Sequence, residues 1–236
     1  MHGSLELCQD YALKLNAPPD VDVWVAPPAL YTQRLIDSVR VPIKVGVQDI
    51  HWEQKGACTG ELAPSMLSDI GASFAIVGHS ERRAQFAETD QIVAQKCRAC
   101  VVAGVIPVVC VGESLKERES GVAESVVWDQ VNSVLSKCDS FMPQQVVFAY
   151  EPIWAIGTGV VANPEDAEGM QNHVRSMISS MTDLDAEQIR ILYGGSVKIE
   201  NAPALVAQQN VDGFLVGGAS LEVDDFQRIC QIASGD

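Results

Sequence analysis

The chain has 236 residues, 47% hydrophobic and 20% charged, which suits one large core or two ordinary domains and excludes a disordered chain. A net charge of −15 argues against nucleic acid and acidic membrane surfaces as partners. No apolar run reaches the ~18–20 residues that cross a bilayer.

A helical pattern over residues 4–15 opens the chain. Strand-like runs follow at 21–26, 43–48, 74–78, 106–111, 146–151, 189–193 and 213–216. Each is trailed by a helical pattern, at 29–38, 61–69, 89–103, 123–137, 164–181, 199–208 and 221–232. The strands are continuously apolar rather than alternating, as strands covered on both faces are. Asn163 is placed to cap the helix opened by Pro164, with Glu165 and Asp166 in its first turn. Gly71 and Gly104 stand where helices end before strands. No linker or composition shift divides the chain, so a single alternating α/β domain over 1–236 is expected.

The polar residues Gln48, His79, Glu113, Glu151, Ser196 and the pair Gly217-Gly218 fall at the C-terminal ends of these strands, the face where (β/α) barrels build their active sites. An open dinucleotide-binding sheet is disfavoured, because no G-x-G-x-x-G follows the first visible strand. The expected architecture is therefore a (β/α)8 barrel that shows seven of its eight strands and opens on a helix.

Cysteines stand at 8, 58, 97, 100, 110, 138 and 230, odd in number and irregular in spacing. They read as reduced, largely buried thiols of a cytoplasmic protein. Met1 to Cys8 lacks the cationic and apolar regions of a secretion signal. Cys97-Arg98-Ala99-Cys100 has redox spacing but lies in a helical pattern, which favours small core residues. His2, His51, His79 and His173 lack metal-ligand spacing, and with no nucleotide fingerprint no metal or cofactor is expected.

The richest stretch is Tyr150-Glu151-Pro152-Ile153-Trp154-Ala155-Ile156-Gly157-Thr158. It reads as a buried strand ending in a carboxylate, followed by a stiff proline, an apolar tip and a glycine hinge: a base beside a lid. Gly78-His79-Ser80-Glu81-Arg82-Arg83 places an imidazole at another strand end, with Ser80 expected to cap a short helix. Peptide dipoles there favour a neutral imidazole, which polarises a carbonyl by donating a hydrogen bond. Glu81 either orients substrate or pairs with Arg82 or Arg83. Tyr193-Gly194-Gly195-Ser196 and Gly217-Gly218-Ala219-Ser220 close the last two strands. They are tight turns or, given where barrels bind phosphate, an anion cradle of backbone N–H groups. Together these parts suit proton transfer beside a carbonyl on a small phosphorylated substrate.

These segments occur in the order found in the triosephosphate isomerase family. Ala26-Pro27-Pro28, Gly46-Val47-Gln48-Asp49, Cys110-Val111-Gly112-Glu113 and a stretch from Val211 to Ser220 join those above, and the chain resembles that family over nearly its whole length. The resemblance implies isomerisation of dihydroxyacetone phosphate and glyceraldehyde 3-phosphate, with Glu151 as base, His79 as electrophile and Glu81 as supporting carboxylate. It implies a lid of Pro152, Ile153, Trp154, Ala155, Ile156, Gly157 and Thr158, and phosphate held by Gly157, Ser196, Gly217 and Gly218. Cys110 would pack behind the site. It further implies a homodimer joined through a long loop over 48–61, with Gln48, Thr59, Glu61 and Arg82 involved and Thr59 reaching the partner's site; an exposed Trp52 fits an interface.

The family opens with a strand ending in Asn-Trp-Lys, ahead of the part matched by Met1-His2-Gly3-Ser4. Lys14, Lys44, Lys55, Lys96, Lys116, Lys137 and Lys198 all stand elsewhere in the pattern. The expectation is a natural protein that extends further upstream; the alternative is a product of low activity. Two other readings stay open. An aldolase would need a Schiff-base lysine at a strand end, and no strand end carries one. A barrel that binds phosphorylated ligands without turnover would fit the missing lysine.

Overall fold

The computed structural model describes residues 1–137, 142–156 and 162–235. Helix α1 (Leu5–Lys14) begins at Ser4, whose side chain accepts a hydrogen bond from the Leu7 N–H at 3.0 Å. There follow β1 (Trp24–Val25), α2 (Thr32–Ser38), β2 (Lys44–Val47), α3 (Pro64–Asp69), β3 (Phe74–Val77), α4 (Ser80–Phe86) and α5 (Asp90–Val102). The second half is β4 (Ile106–Val111), α6 (Leu115–Glu119), α7 (Ala123–Leu135), β5 (Val147–Tyr150), α8 (Pro164–Met181), β6 (Arg190–Tyr193), α9 (Ala202–Val206) and α10 (Val223–Ser234).

The strands form one parallel sheet in the order β1-β2-β3-β4-β5-β6. Strict sequence order with a helix in every connection is the winding of a (β/α) barrel and not of an open doubly wound sheet, which reverses direction at a switch point. The seventh strand, expected over 213–216, is a single parallel bridge from Tyr193 to Phe214. Backbone bonds from the Tyr193 N–H to Gly213 O and from the Leu215 N–H to Tyr193 O, both 2.9 Å, hold it. Among the described residues no ladder joins Trp24–Val25 to this far edge.

Two helices are shorter than their apolar periodicity suggests. The 61–69 pattern becomes helical only at Pro64, and the 199–208 pattern only around Pro203. Proline tolerates the first turn of a helix and disrupts its interior, so each helix starts where its proline sits. Asn163 caps α8 as expected, accepting from the Asp166 N–H at 2.7 Å.

Alternation along each strand sorts its side chains between two cores. Phe74, Ile76, Val108, Cys110, Val147 and Ala149 pack together inside the curl of the sheet. Ala75, Val77, Val109, Val111, Phe148 and Tyr150 face the helices and join α5, α7 and α8 in the main core. Register pairs such as Cys110 with Ala149 put small residues at the top of the interior. That leaves room beneath the strand ends for a buried polar site.

Candidate active site

Glu151 follows the last residue of β5 and is only 2% exposed. Its N–H closes the ladder on Val111 O at 2.7 Å. A carboxylate this deep must be satisfied by donors. The Ser80 N–H donates to Oε2 at 2.8 Å, the Ser80 hydroxyl lies 3.3 Å from Oε1, and His79 Nε2 lies 3.0 Å from Oε1. The first of these is a free N–H of the α4 N-terminus, where the helix dipole also favours negative charge. Behind the carboxylate sits the buried Cys110 thiol. Burial, and then the nearby Glu151 charge, push its pKa well above the ordinary value, so it stays a neutral packing group.

The cap of α4 differs from expectation by one residue. His79 is the N-cap, its Nδ1 accepting from the Glu81 N–H at 3.3 Å, and Ser80 is the first helical residue. The backbone turns at Gly78, whose φ of 71° suits glycine, and a Cβ there would stand 2.7 Å from Val93 Cγ2. With Nδ1 accepting, the proton of a neutral His79 resides on Nε2, which faces Glu151 and the cavity. Desolvation is the largest influence on this imidazole and lowers its pKa. The hydrogen bond and charge of Glu151 and the charge of Glu81 raise it, and their sum prevails, so the net shift is upward. The dipole-favoured neutral form is thus opposed while Glu151 rests against the ring. Glu81 is exposed, its carboxylate 3.9 Å from Nδ1.

The described part of the segment expected as a lid, Pro152 to Ile156, contains one 3₁₀ turn, Ile153–Ala155. Its anchor is Glu113, wholly buried, whose Oε1 accepts from Trp154 Nε1 at 2.8 Å and from the Tyr150 hydroxyl at 3.0 Å. Arg118 lies 3.2 Å from the same oxygen and stacks its guanidinium 4.6 Å from the Trp154 ring centre. Arg118 also pairs with Asp166. Gly157 and Thr158, expected in the lid, lie outside the described residues.

A cavity of about 1650 Å³ runs along the inside of the sheet, from residues at its N-terminal side such as Asp22, Val147 and Arg190 to the C-terminal strand ends, where Gln48, His79, Glu81, Arg82 and Glu151 and Ser196, Gly217 and Gly218 line it. The structure therefore brings the expected base, electrophile and phosphate turns to one space. A Cβ added to Gly217 or Gly218 would meet no atom within 4 Å, so these glycines leave their backbone open to it. Thr59 and Glu61 are exposed and do not line this cavity. Trp52 is half-buried rather than exposed, stacked on His51 with ring centres 4.0 Å apart. Arg82 turns inward, 2.8 Å from Asp49 and 2.5 Å from Glu88.

Two residues that hydrogen-bond near the strand ends escaped the sequence reading. Ser80 was expected as a cap, yet its N–H and hydroxyl both serve Glu151; its adjacency to His79 was the available signal. Gln130 sits in the middle of an apolar helix face and gave no signal. Among the described residues, no grouping of His, Cys, Asp and Glu could hold a metal ion, and no helix is long and apolar enough to cross a membrane.

Parallel strands in sequence order, a buried carboxylate beside an imidazole at their C-terminal ends and glycine turns opposite define a (β/α)-barrel enzyme of the proton-transferring class. A family profile described as triosephosphate isomerase matches residues 1–233. A triosephosphate isomerase of Rhodopirellula baltica is 46% identical over 217 residues, covering 91% of this chain and 85% of the relative. That of Roseiflexus castenholzii is 46% identical over 231 residues, covering 97% and 91%. That of Xanthomonas oryzae pv. oryzae is 43% identical over 238 residues, covering 99% and 95%. The chain belongs to the triosephosphate isomerase family.

Proposed function

We propose that the chain interconverts dihydroxyacetone phosphate and D-glyceraldehyde 3-phosphate, with Glu151 as the proton-transferring base. The observation that carries the residue roles is the Glu151 carboxylate, buried and held by His79 and Ser80, on a cavity shared with Ser196, Gly217 and Gly218. Glu151 takes a proton from the carbon beside the substrate carbonyl. The electron pair moves to the carbonyl oxygen, and His79 Nε2–H stabilises the developing enediolate. A proton passes from the hydroxyl of the first carbon to the enediolate oxygen of the second, between oxygens that His79 faces, and Glu151 returns its proton to the second carbon as the new carbonyl forms on the first; atoms balance and no cofactor is required. Glu81 supports His79 from its Nδ1 side. Backbone groups of Gly157, Ser196, Gly217 and Gly218 hold the phosphate, which suits a protein whose net charge of −15 opposes an anion at long range. Residues 152–158 close over the substrate and exclude water, which strengthens these electrostatics and protects the enediolate from phosphate loss.

The test is turnover of glyceraldehyde 3-phosphate beside unphosphorylated glyceraldehyde at equal concentration. Turnover of the phosphate ester alone is expected; equal turnover of both would contradict the phosphate cradle. The reading of a barrel that binds without turnover has family membership against it.

The loop over 48–61 pairs two copies of the chain in this reading, with Gln48, Glu61 and Arg82 at its base and Thr59 entering the partner's site. Support comes from the exposed Thr59 and from the exposed Phe86, which carries the Arg82 guanidinium 4.6 Å from its ring centre. Thr59→Arg is expected to shift sedimentation from dimer to monomer, because a charge would have to be buried in the contact. A variant that sediments as the wild type does would count against this contact. The unpaired thiols of Cys8, Cys58, Cys100, Cys110 and Cys230 fit a reducing compartment, the cytoplasm; recovery from another cell fraction would overturn that placement.

A further inference from the structure

The ladder between β4 and β5 ends where the base begins, at the bond from the Glu151 N–H to Val111 O. Gly112, the next residue, makes its bonds with a side chain. The Gly112 N–H donates to Gln130 Oε1 at 2.8 Å, and Gln130 Nε2 donates to Gly112 O at 3.0 Å. Gln130 belongs to α7 and is 8% exposed, so its amide serves one residue of backbone as a neighbouring strand would. Gly112 also lies against the base. A Cβ there would come 1.8 Å from Glu151 O and 3.3 Å from Glu151 Cα, so the backbone of Glu151 rests directly on this glycine. The next residue, Glu113, accepts from the Ile153 N–H at 3.2 Å and holds Trp154.

We infer that Gln130 is a positioning residue for Glu151: its two-bond clamp on Gly112 fixes the surface against which the base is seated. This rests on the reading of Glu151 as base. Without the clamp, two buried backbone groups lose their partners, and the Gly112 peptide must turn to find others. Any such turn moves the backbone packed against it. Proton transfer is sensitive to that movement, because a misplacement of ~1 Å can cost ~10² in rate. Substrate binding depends on the phosphate turns of Ser196, Gly217 and Gly218, on other strand ends, so KM is spared.

Gln171 supplies the control. It is 0% exposed on α8, and its Nε2 donates to Ile191 O at 2.8 Å and to Asn210 O at 3.2 Å. It too is a buried amide that holds backbone, though by Nε2 alone, and the carbonyls it holds belong to Ile191 and Asn210 rather than to the segment packed on Glu151. The experiment compares Gln130→Met with Gln171→Met in steady-state isomerisation of glyceraldehyde 3-phosphate, at a temperature where near-UV circular dichroism shows both folded. Gln130→Met is expected to lower kcat about tenfold or more with KM within about twofold, and Gln171→Met to leave kcat within about twofold, by the sensitivity of proton transfer to placement. Should Gln130→Met fail to fold, the isosteric Gln130→Glu takes its place. It keeps the acceptor for Gly112 N–H and loses the donor, and a lowered kcat is again expected. Unchanged kcat in the folded Gln130 variant, or an equal loss in both glutamine variants, would overturn the inference. Glu151→Asp in the same assay separates the two claims. If its kcat falls while that of the Gln130 variant holds, the positioning role alone is lost; if its kcat holds, the base assignment is lost.

Discussion

Glu151→Asp is expected to lower kcat about 10²-fold while KM and the fold change little. Aspartate keeps the carboxylate but draws it back by one carbon–carbon bond, roughly 1.5 Å. The wild-type carboxylate is held between His79 Nε2 and the Ser80 N–H, at 3.0 and 2.8 Å, and lines the cavity. Its reach therefore sets the distance to the carbon acid. Glu151→Gln, which keeps the reach and removes the base, should lose as much or more, since general-base catalysis contributes about 10²–10⁴. Steady-state kinetics on both variants checks the pair. Full turnover by the glutamine variant would exclude Glu151 from proton transfer.

Lys96→Met is expected to destabilise the protein by about 3 kcal/mol, the lower end for breaking a buried ion pair from one side. Lys96 is 3% exposed, and its Nζ lies 2.6 Å from both Asp49 Oδ1 and Glu88 Oε1. Methionine fills much the same volume and leaves the buried Glu88 and the half-buried Asp49 with Arg82 alone. Glu88 records the debt: desolvation raises its pKa, but Lys96 and Arg82 together bring it below the ordinary 4.5. It thus contributes stability that is present above that pH and fades as pH falls through its lowered folded value. Asp49 runs the other way, because burial keeps its pKa raised despite Lys96. The expected loss corresponds to a Tm about 6–12 °C lower for a domain of this size. Lys96→Met/Glu88→Gln should recover part of it, since the stranded charge is then gone. A single variant that melts as the wild type does would mean that water or a rearranged Arg82 already compensates.

Much of the architecture was legible because its signals are local. Buried parallel strands advertise themselves as unbroken β-branched runs, and Asn163-Pro164 announces a helix start. Glu151 and His79 were legible for the same reason: each is a polar residue at the end of an apolar run. What stayed hidden depends on contacts between distant segments. Nothing in the sequence around Lys96 distinguishes a solvated helix lysine from one buried between Asp49 and Glu88. Gln130 and Gly112 stand in unremarkable neighbourhoods, and only the fold lays one against the other. The cap of α4 was misplaced by one residue because serine is the commoner cap, whereas here an imidazole nitrogen takes that role. The strand over 213–216 was overextended, since apolar composition does not reveal how little of a run finds a partner.

The claim at the centre is that a proton leaves carbon for the Glu151 carboxylate and returns from it. A carboxylate proton exchanges with solvent, so incubating dihydroxyacetone phosphate with the protein in deuterated water is the direct measurement. The account predicts deuterium on carbon 2 of the glyceraldehyde 3-phosphate formed, seen by proton NMR, and loss of both isomerisation and deuterium uptake in Glu151→Gln. Undiminished isomerisation and deuterium uptake in Glu151→Gln would mean that another base moves the proton and would contradict it.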